Sequence, residues 1–286
     1  AVPLVVERTM RWDATGYGAH TEKATGGPAL NWLFAEGSQG FFQTFVLLAN
    51  PNPTANKATV TFLREGGATP VTEVFDLLPT SRKTIFAGDI PALRDQSFGI
   101  QVVFDSPGVA ERAMYFGQRV FEAGHESAGV NAPASEWFLA EGATGTFFTT
   151  FLLVANPGDV DANVTYTYLP ATGLPITKTR IVGARSRWTG NIATEDPSLE
   201  NAAVATRITS TQPVIAERAQ YWPFTPDRWF EAHNSFGATS LGLKWGLAEG
   251  RVGTAANYQT YVLLANPSTT AAEVKVTFLR TNGTTV

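Results

Sequence analysis

The chain has 286 residues, with 25 acidic against 21 basic side chains, three histidines and no cysteine. A formal charge of −4 spread without runs of one sign gives no electrostatic footprint for nucleic acid or an anionic membrane surface, and the lack of cysteine excludes disulfides and thiol chemistry. Hydrophobic residues make up 44% of the chain, enough for packed cores, and no apolar run approaches the ~20 residues that cross a bilayer.

The 26 Gly and 17 Pro residues, with abundant Thr and Val, favour short strands and tight turns over helices, so the fold class read from composition is all-β. Complete absence of Cys leans towards a bacterial cell-surface or secreted protein. The start, Ala1-Val-Pro-Leu, lacks the charged-then-apolar pattern of an export signal, which points to a processed or internal beginning.

A motif recurs. Trp32-Leu-Phe-Ala-Glu-Gly37, Trp137-Phe-Leu-Ala-Glu-Gly142 and Trp245-Gly-Leu-Ala-Glu-Gly250 open three copies of a unit roughly 105 residues long, the size of a small domain rather than of a solenoid repeat. Residues 1–31 read as the C-terminal part of an incomplete repeat, 32–136 as repeat 1, 137–244 as repeat 2, and 245–286 as the N-terminal part of a further repeat.

Within 1–31, Val2-Pro-Leu-Val-Val-Glu-Arg8 matches Ser106-Pro-Gly-Val-Ala-Glu-Arg112 and Gln212-Pro-Val-Ile-Ala-Glu-Arg218. Each is followed by aromatic residues, as expected of a strand that begins just after a proline. After each repeat Trp comes a β-rich run halted by Asn50-Pro51, Asn156-Pro157 or Asn266-Pro267, dipeptides that start turns. Next, Ala58, Val60 and Phe62 alternate with Thr59 and Thr61, and the copies at 163–168 and 273–278 alternate likewise, predicting strands with one buried and one wet face.

A Gly-containing turn follows (Glu65-Gly-Gly67, Ala171-Thr-Gly173, Asn282-Gly283) and predicts a hairpin. Further strands are predicted around Ser81-Arg82 and Ser186-Arg187, at Phe98–Phe104 and its counterpart Ala203–Thr209, and at the Glu-Arg segment, about seven per unit. That pattern predicts tandem immunoglobulin-like β-sandwich domains; the alternative is a β-propeller, which needs a half-length repetition that the sequence lacks. The Gly-, Pro- and Ala-containing stretches at 117–136 and 223–244 read as domain junctions. The partial ends, 1–31 and 245–286, fall short of one unit together. Either they belong to a longer array or they pair with strands of neighbouring chains.

His20, His125 and His233 each precede a repeat Trp by the same interval. One His per unit with scattered carboxylates is too little for a metal site, so no metal or cofactor is expected and each reads as a loop histidine fixing the junction by a hydrogen bond. The pairs Glu7-Arg8, Glu111-Arg112 and Glu217-Arg218 place two charges on opposite faces of a strand. The inward one is expected to meet a partner among Glu36, Glu141 and Glu249 of the Ala-Glu-Gly motif, or Arg82 and Arg187. Glu36 with Glu111 can be written as the carboxylate pair of a glycoside hydrolase, but catalytic pairs seldom recur in every copy of an array whereas structural pairs must. Trp12, Tyr115, Phe116, Tyr221, Trp222 and Trp229 are candidates for stacking against sugar rings, against the plainer reading that they plug domain interfaces.

Taken together, Trp-x-x-Ala-Glu-Gly, the Ala-Asn-Pro stop, the Ser-Arg pair, the Pro-x-x-Ala-Glu-Arg strand and the His-containing junction resemble a bacterial family of secreted tandem repeats of unknown function. The resemblance covers the whole chain, with Val6 in place of the usual Ala before Glu7 and Gly246 in place of a bulky residue after Trp245. It implies export and a β-sandwich fold, and it brings no catalytic residues. The expected function is therefore a non-enzymatic extracellular structural or adhesive repeat protein (stalk, surface-layer or filament subunit). Its expected partners are copies of itself; cell-surface polysaccharide is the second reading and glycoside hydrolysis a remote third.

Overall fold

The computed structural model describes residues 4–12, 18–117, 121–223, 229–253 and 258–286. It opens with a two-stranded hairpin, β1 (Glu7–Trp12) and β2 (Gly18–Lys23). Then come β3 (Ala29–Phe34), β4 (Phe42–Asn50), β5 (Asn56–Arg64), β6 (Val71–Leu77), β7 (Ser81–Phe86), β8 (Phe98–Phe116) and β9 (Ala123–Ala128). The series repeats as β10 (Ala134–Leu139), β11 (Thr149–Asn156), β12 (Ala162–Pro170), β13 (Ile176–Val182), β14 (Ser186–Asn191), β15 (Val204–Trp222) and β16 (Glu231–Phe236).

In the first set, β6-β5-β8-β3 form one antiparallel sheet and β7-β4-β8-β9 the other, so β8 belongs to both. The second set repeats this, with β15 in the place of β8. Apolar side chains from both sheets meet in one core per set: Trp32, Val46, Leu48, Val60, Phe62, Phe98, Ile100 and Val102 in the first, and Trp137, Leu152, Val154, Val164, Tyr166, Tyr168 and Ile208 in the second. The protein is all-β and built of β-sandwiches. The pairings β4·β7 and β5·β8 put the second and fifth strands in one sheet and the third and sixth in the other, as in immunoglobulin-like domains. Opposed sheets around a shared core replace the blades that a propeller would need.

Two expectations are corrected. The Phe98–Phe104 and Glu-Arg segments are one continuous strand of 19 residues, and Pro107 lies inside it instead of at its start. The β5 ladder ends at Phe104 and the β4 ladder begins at Val109, so the missing proline N–H falls where β8 passes from one sheet to the other and breaks no rung. Trp32 Nε1 donates to Gly108 O (2.9 Å) and Trp137 Nε1 to Val214 O (3.0 Å), so the repeat Trp braces this passage. The second correction concerns the wet face of β5. Val60 and Phe62 point into the core as predicted, but Thr61 and Leu63 are buried too, Leu63 because the second sandwich covers it.

The Asn of each Asn-Pro stop does more than start a turn. Asn50 Nδ2 donates to Thr54 O and Leu78 O (2.9 and 2.8 Å), and Asn156 Nδ2 to Val160 O and Val182 O (2.8 and 3.1 Å). Each buried amide thus ties two loops together, satisfying carbonyls that would otherwise lack partners. In the connection between β5 and β6, Gly66 and Gly67 have φ of 74° and 76°, the left-handed region that glycine enters without steric cost. Among the described residues of 245–286 no strand is formed, and nearly every one is exposed.

Candidate functional site

The densest chemistry lies where the two sandwiches meet. A third apolar cluster joins Leu33, Leu63, Phe116 and Ala123 of the first to Leu153, Ile215, Ala219, Tyr221 and Ala232 of the second. Inside it sits a buried set of charges. Arg112, wholly enclosed on β8, donates through Nη1 to Glu36 O and Oε2 (both 3.0 Å) within its own sandwich and to Glu217 Oε2 (3.1 Å) on β15 of the other. Glu217 Oε1 accepts the backbone N–H of Ala35 (2.5 Å) and of Glu36 (3.3 Å). Glu36 also accepts from Tyr221 Oη (3.0 Å) and Asn234 Nδ2 (2.8 Å). Taking such charges out of water is tolerable only with this degree of pairing.

Burial pushes the Glu217 carboxyl up, against the pull of Arg112, and pushes the Tyr221 phenol well above its usual value, with Glu36 adding to the effect. His125 Nε2 lies 3.4 Å from Tyr221 Oη and 3.5 Å from Glu36 Oε2. Burial first, and then Arg112, hold its imidazole well below the ordinary histidine range, so it is neutral. His125 stands on strand β9, His20 on β2 and His233 on β16, which corrects the expectation of loop histidines. Their strands begin soon after a Glu-Arg strand and pair back onto it, so what composition marks as junction contains a ladder.

The same contacts recur elsewhere. Arg8 on β1 donates to Glu111 Oε2 (3.2 Å) on β8, as Arg112 does to Glu217, and also pairs with Glu126. His20 Nε2 lies 3.1 Å from Glu126 Oε2; burial, then Arg8, bring its pKa down to about 4. Trp12 Nε1 donates to Phe121 O (2.8 Å), seating the β1–β2 hairpin on the first sandwich. Arg218 pairs with Glu141 in its own sandwich and approaches His233 Nδ1 (2.9 Å). At the other end, Glu7 Oε1 accepts the N–H of Ala248 (3.4 Å), the counterpart of Ala35, and Glu249 stands exposed beside it. Arg112 thus meets Glu36 and Arg218 meets Glu141, whereas Arg8 meets Glu111 and Glu126 in place of Glu249, and Arg112 takes partners both from its own unit and from the next.

A second contact set escaped the sequence. Ser186 Oγ donates to Arg64 O (2.7 Å) and accepts from Gly67 N (3.0 Å). Arg187 Nη1 donates to Gly37 O and Phe98 O (both 3.1 Å), its Nε is 3.4 Å from Glu65 Oε2, and Glu65 Oε1 accepts from Thr189 N (2.8 Å). The Ser-Arg pair of one sandwich therefore grips the Glu-Gly-Gly hairpin of the other. The signal was present in the recurrence of both motifs, but nothing in spacing says that they meet across a junction. In the first sandwich the equivalent Arg82 is exposed, bonded to Thr84 Oγ1 (3.1 Å).

Of the aromatic candidates, Phe116 and Tyr221 are buried in the junction, and Trp12, Tyr115, Trp222 and Trp229 are half-buried. Tyr221 and Trp229 lie 4.7 Å apart, and Trp12 meets Tyr115 edge-on at 5.5 Å. Glu36 and Glu111 are each held by an arginine, and Glu36 is further enclosed by Tyr221, Asn234 and His125, leaving it no open face for a substrate. Among the described residues no three of His, Asp and Glu gather to hold a metal.

No family model and no curated protein matches the chain. Among solved structures, Thermotoga maritima 1070 is similar at 17% identity, over 36% of this chain and 94% of that one, with a TM-score of 0.33. The Anabaena sensory rhodopsin transducer is similar at 23% identity, over 29% of this chain and 92% of its own, with a TM-score of 0.27.

Proposed function

We propose that this chain is a non-enzymatic structural or adhesive repeat protein of the bacterial cell surface or exterior, a stalk, surface-layer or filament subunit whose task is to hold successive β-sandwiches in fixed relation. The observation that carries this reading is Arg112, which bonds carboxylates of two sandwiches at once from a fully buried position. An apolar seam alone lets neighbouring domains slide; a buried charge with partners on both sides fixes register, because any displacement strands it without a partner.

The absence of cysteine permits a clean test: Val74→Cys and Ile181→Cys, both at exposed positions on the two sandwiches, carry spin labels without interference. Electron–electron resonance should give one narrow distance, and a broad distribution would refute a rigid array. Fractionation of the producing cell should place the protein outside the cytoplasm. A second reading, binding of cell-surface polysaccharide, is favoured by a cavity of about 550 Å³ walled by Phe148, Trp222 and Tyr261 beside His20, His125 and Gln220. A glycan array with no ligand would remove it.

A further inference from the structure

Some sheet edges are used within the chain and others are left free. Leu33 on β3 exchanges both backbone hydrogen bonds with Val130 (2.8 and 3.1 Å), Phe138 on β10 does so with Ala238 (both 2.8 Å), and Ser186 and Arg187 on β14 hold the hairpin of the first sandwich. Among the described residues β6 pairs with β5 alone and β13 with β12 alone, so each turns its other row of backbone N–H and C=O groups to solvent. β6 stands in a sandwich that another follows, and β13 in one that another precedes. Neither neighbour pairs with the strand, so the open edge belongs to the unit itself.

An edge that must stay single is commonly blunted by proline or a bulge. β6 (Val-Thr-Glu-Val-Phe-Asp-Leu) and β13 (Ile-Thr-Lys-Thr-Arg-Ile-Val) have neither, and on their outward faces Val74 is 59% and Ile181 66% exposed. The two strands are also opposite in charge: β6 holds Glu73 and Asp76 and no base, whereas β13 holds Lys178 and Arg180 and no acid. Glu73 is exposed and has no partner among the described residues. Arg180 binds Glu195 through Nη2 alone (2.9 and 2.7 Å), leaving Nη1 and Nε for a second carboxylate.

We infer that β6 of one chain pairs edge to edge, antiparallel, with β13 of a second copy of this chain. Setting Glu73 opposite Arg180 fixes the register along the whole ladder. Val71 then faces Val182, Phe75 faces Lys178 and Leu77 faces Ile176 on one side, while Thr72 faces Ile181 and Val74 faces Thr179 on the other. Val71, Phe75 and Ile176 already pack on their own cores, so core side meets core side and the two sheets continue as one. Opposite charges, a cation beside a ring and β-branched pairs are contacts that stabilise such a ladder. Pairing of β13 with itself about Thr179 would instead set Lys178 against Arg180. Because every copy offers both strands, chains can add side by side, which fits the surface-layer form of the structural reading above and rests on it.

A ladder between strands of 7 residues buries little surface, so the test traps the contact covalently. Intact Val74→Cys and Thr179→Cys chains, mixed under mild oxidation, should form a mixed disulfide dimer, because directly opposite residues bring their Cβ atoms within about 5 Å. The offset pair, Thr72→Cys with Thr177→Cys, should not. Glu73→Arg in the Val74→Cys chain should lower the yield roughly tenfold, and Arg180→Glu in its partner should restore it. No mixed dimer, an equal yield from the offset pair, or a yield indifferent to Glu73→Arg would overturn the inference. So would Val74→Cys chains that link to themselves as readily as to Thr179→Cys. The Val74–Ile181 distance, measured within a labelled chain diluted in unlabelled chain, tests the rigid array by itself, so the two ideas fail separately.

Discussion

Arg112 and Glu217 belong to different sandwiches, yet the guanidinium of one lies 3.1 Å from the carboxylate of the other with neither reached by solvent. The junction is thus an extension of the two cores, with a polar group at its centre that only one docking geometry satisfies.

Replacing Arg112 with Met should therefore destabilise the chain by about 3–5 kcal/mol, because Glu36 and Glu217 would remain buried without their cation. Chemical denaturation measures the loss, and the 74–181 distance distribution should broaden in parallel. Glu217→Gln should cost less, since burial already favours the uncharged carboxyl and the amide keeps an acceptor for Ala35 N–H.

The two Ser-Arg pairs give an internal control. Glu65→Ala removes the carboxylate from Arg187 and Thr189 and should cost about 1–3 kcal/mol. Arg82→Ala, at the equivalent but exposed position of the first sandwich, should fall within about 0.5 kcal/mol of wild type. Equal effects in thermal melts would contradict the role given to the hairpin grip.

Gly99 allows the sandwiches to approach: a Cβ built on it would lie 2.8 Å from the Ala155 Cβ and 3.1 Å from Phe34 O. Gly99→Val should separate the junction and cost about 1–3 kcal/mol through overpacking. Limited proteolysis between the sandwiches, at 129–133, should then become faster while each core keeps its protection.

Acid should weaken the protein before it reaches the carboxylate range. His20, at about 4 when folded against 6.5 when free, and His125, also depressed, bind protons more readily unfolded. Their contribution is therefore complete above pH 6.5 and is lost as pH falls towards 4, by an amount of order 3 kcal/mol for His20. Glu126, Arg8 and Trp12 face His20, and Glu36, Tyr221 and Arg112 face His125. Glu217 works in the opposite sense: its raised value favours the folded state at lower pH and loses that effect as pH rises through the folded value. Denaturation midpoints between pH 7 and 4 should fall, and His20→Gln should flatten the slope.

Much of this was legible in the sequence, and the reasons are local. Period-two alternation at Val60 and Phe62, the Gly66-Gly67 turn and the Asn-Pro stops depend on neighbours in the chain, and such signals survive folding. The continuity of β8 through Pro107 was hidden because a proline reads as a boundary, and only the change of pairing partner at that point makes it harmless. The wet face predicted for β5 was misread for a similar reason: Leu63, at its end, is covered by the second sandwich, which an isolated domain would not reveal. The need of Glu36 and Arg112 for a partner could be argued from charge burial. That Glu217, Tyr221 and Asn234 of the next unit join them required the relative placement of two domains, which no spacing encodes.

The strand that closes both sheets is the sixth of seven in its unit. During synthesis, neither sheet of a sandwich is complete until that segment has left the ribosome, so the earlier hairpins wait as partly covered apolar surfaces. The order of elements thus makes each newly made unit dependent on a late arrival.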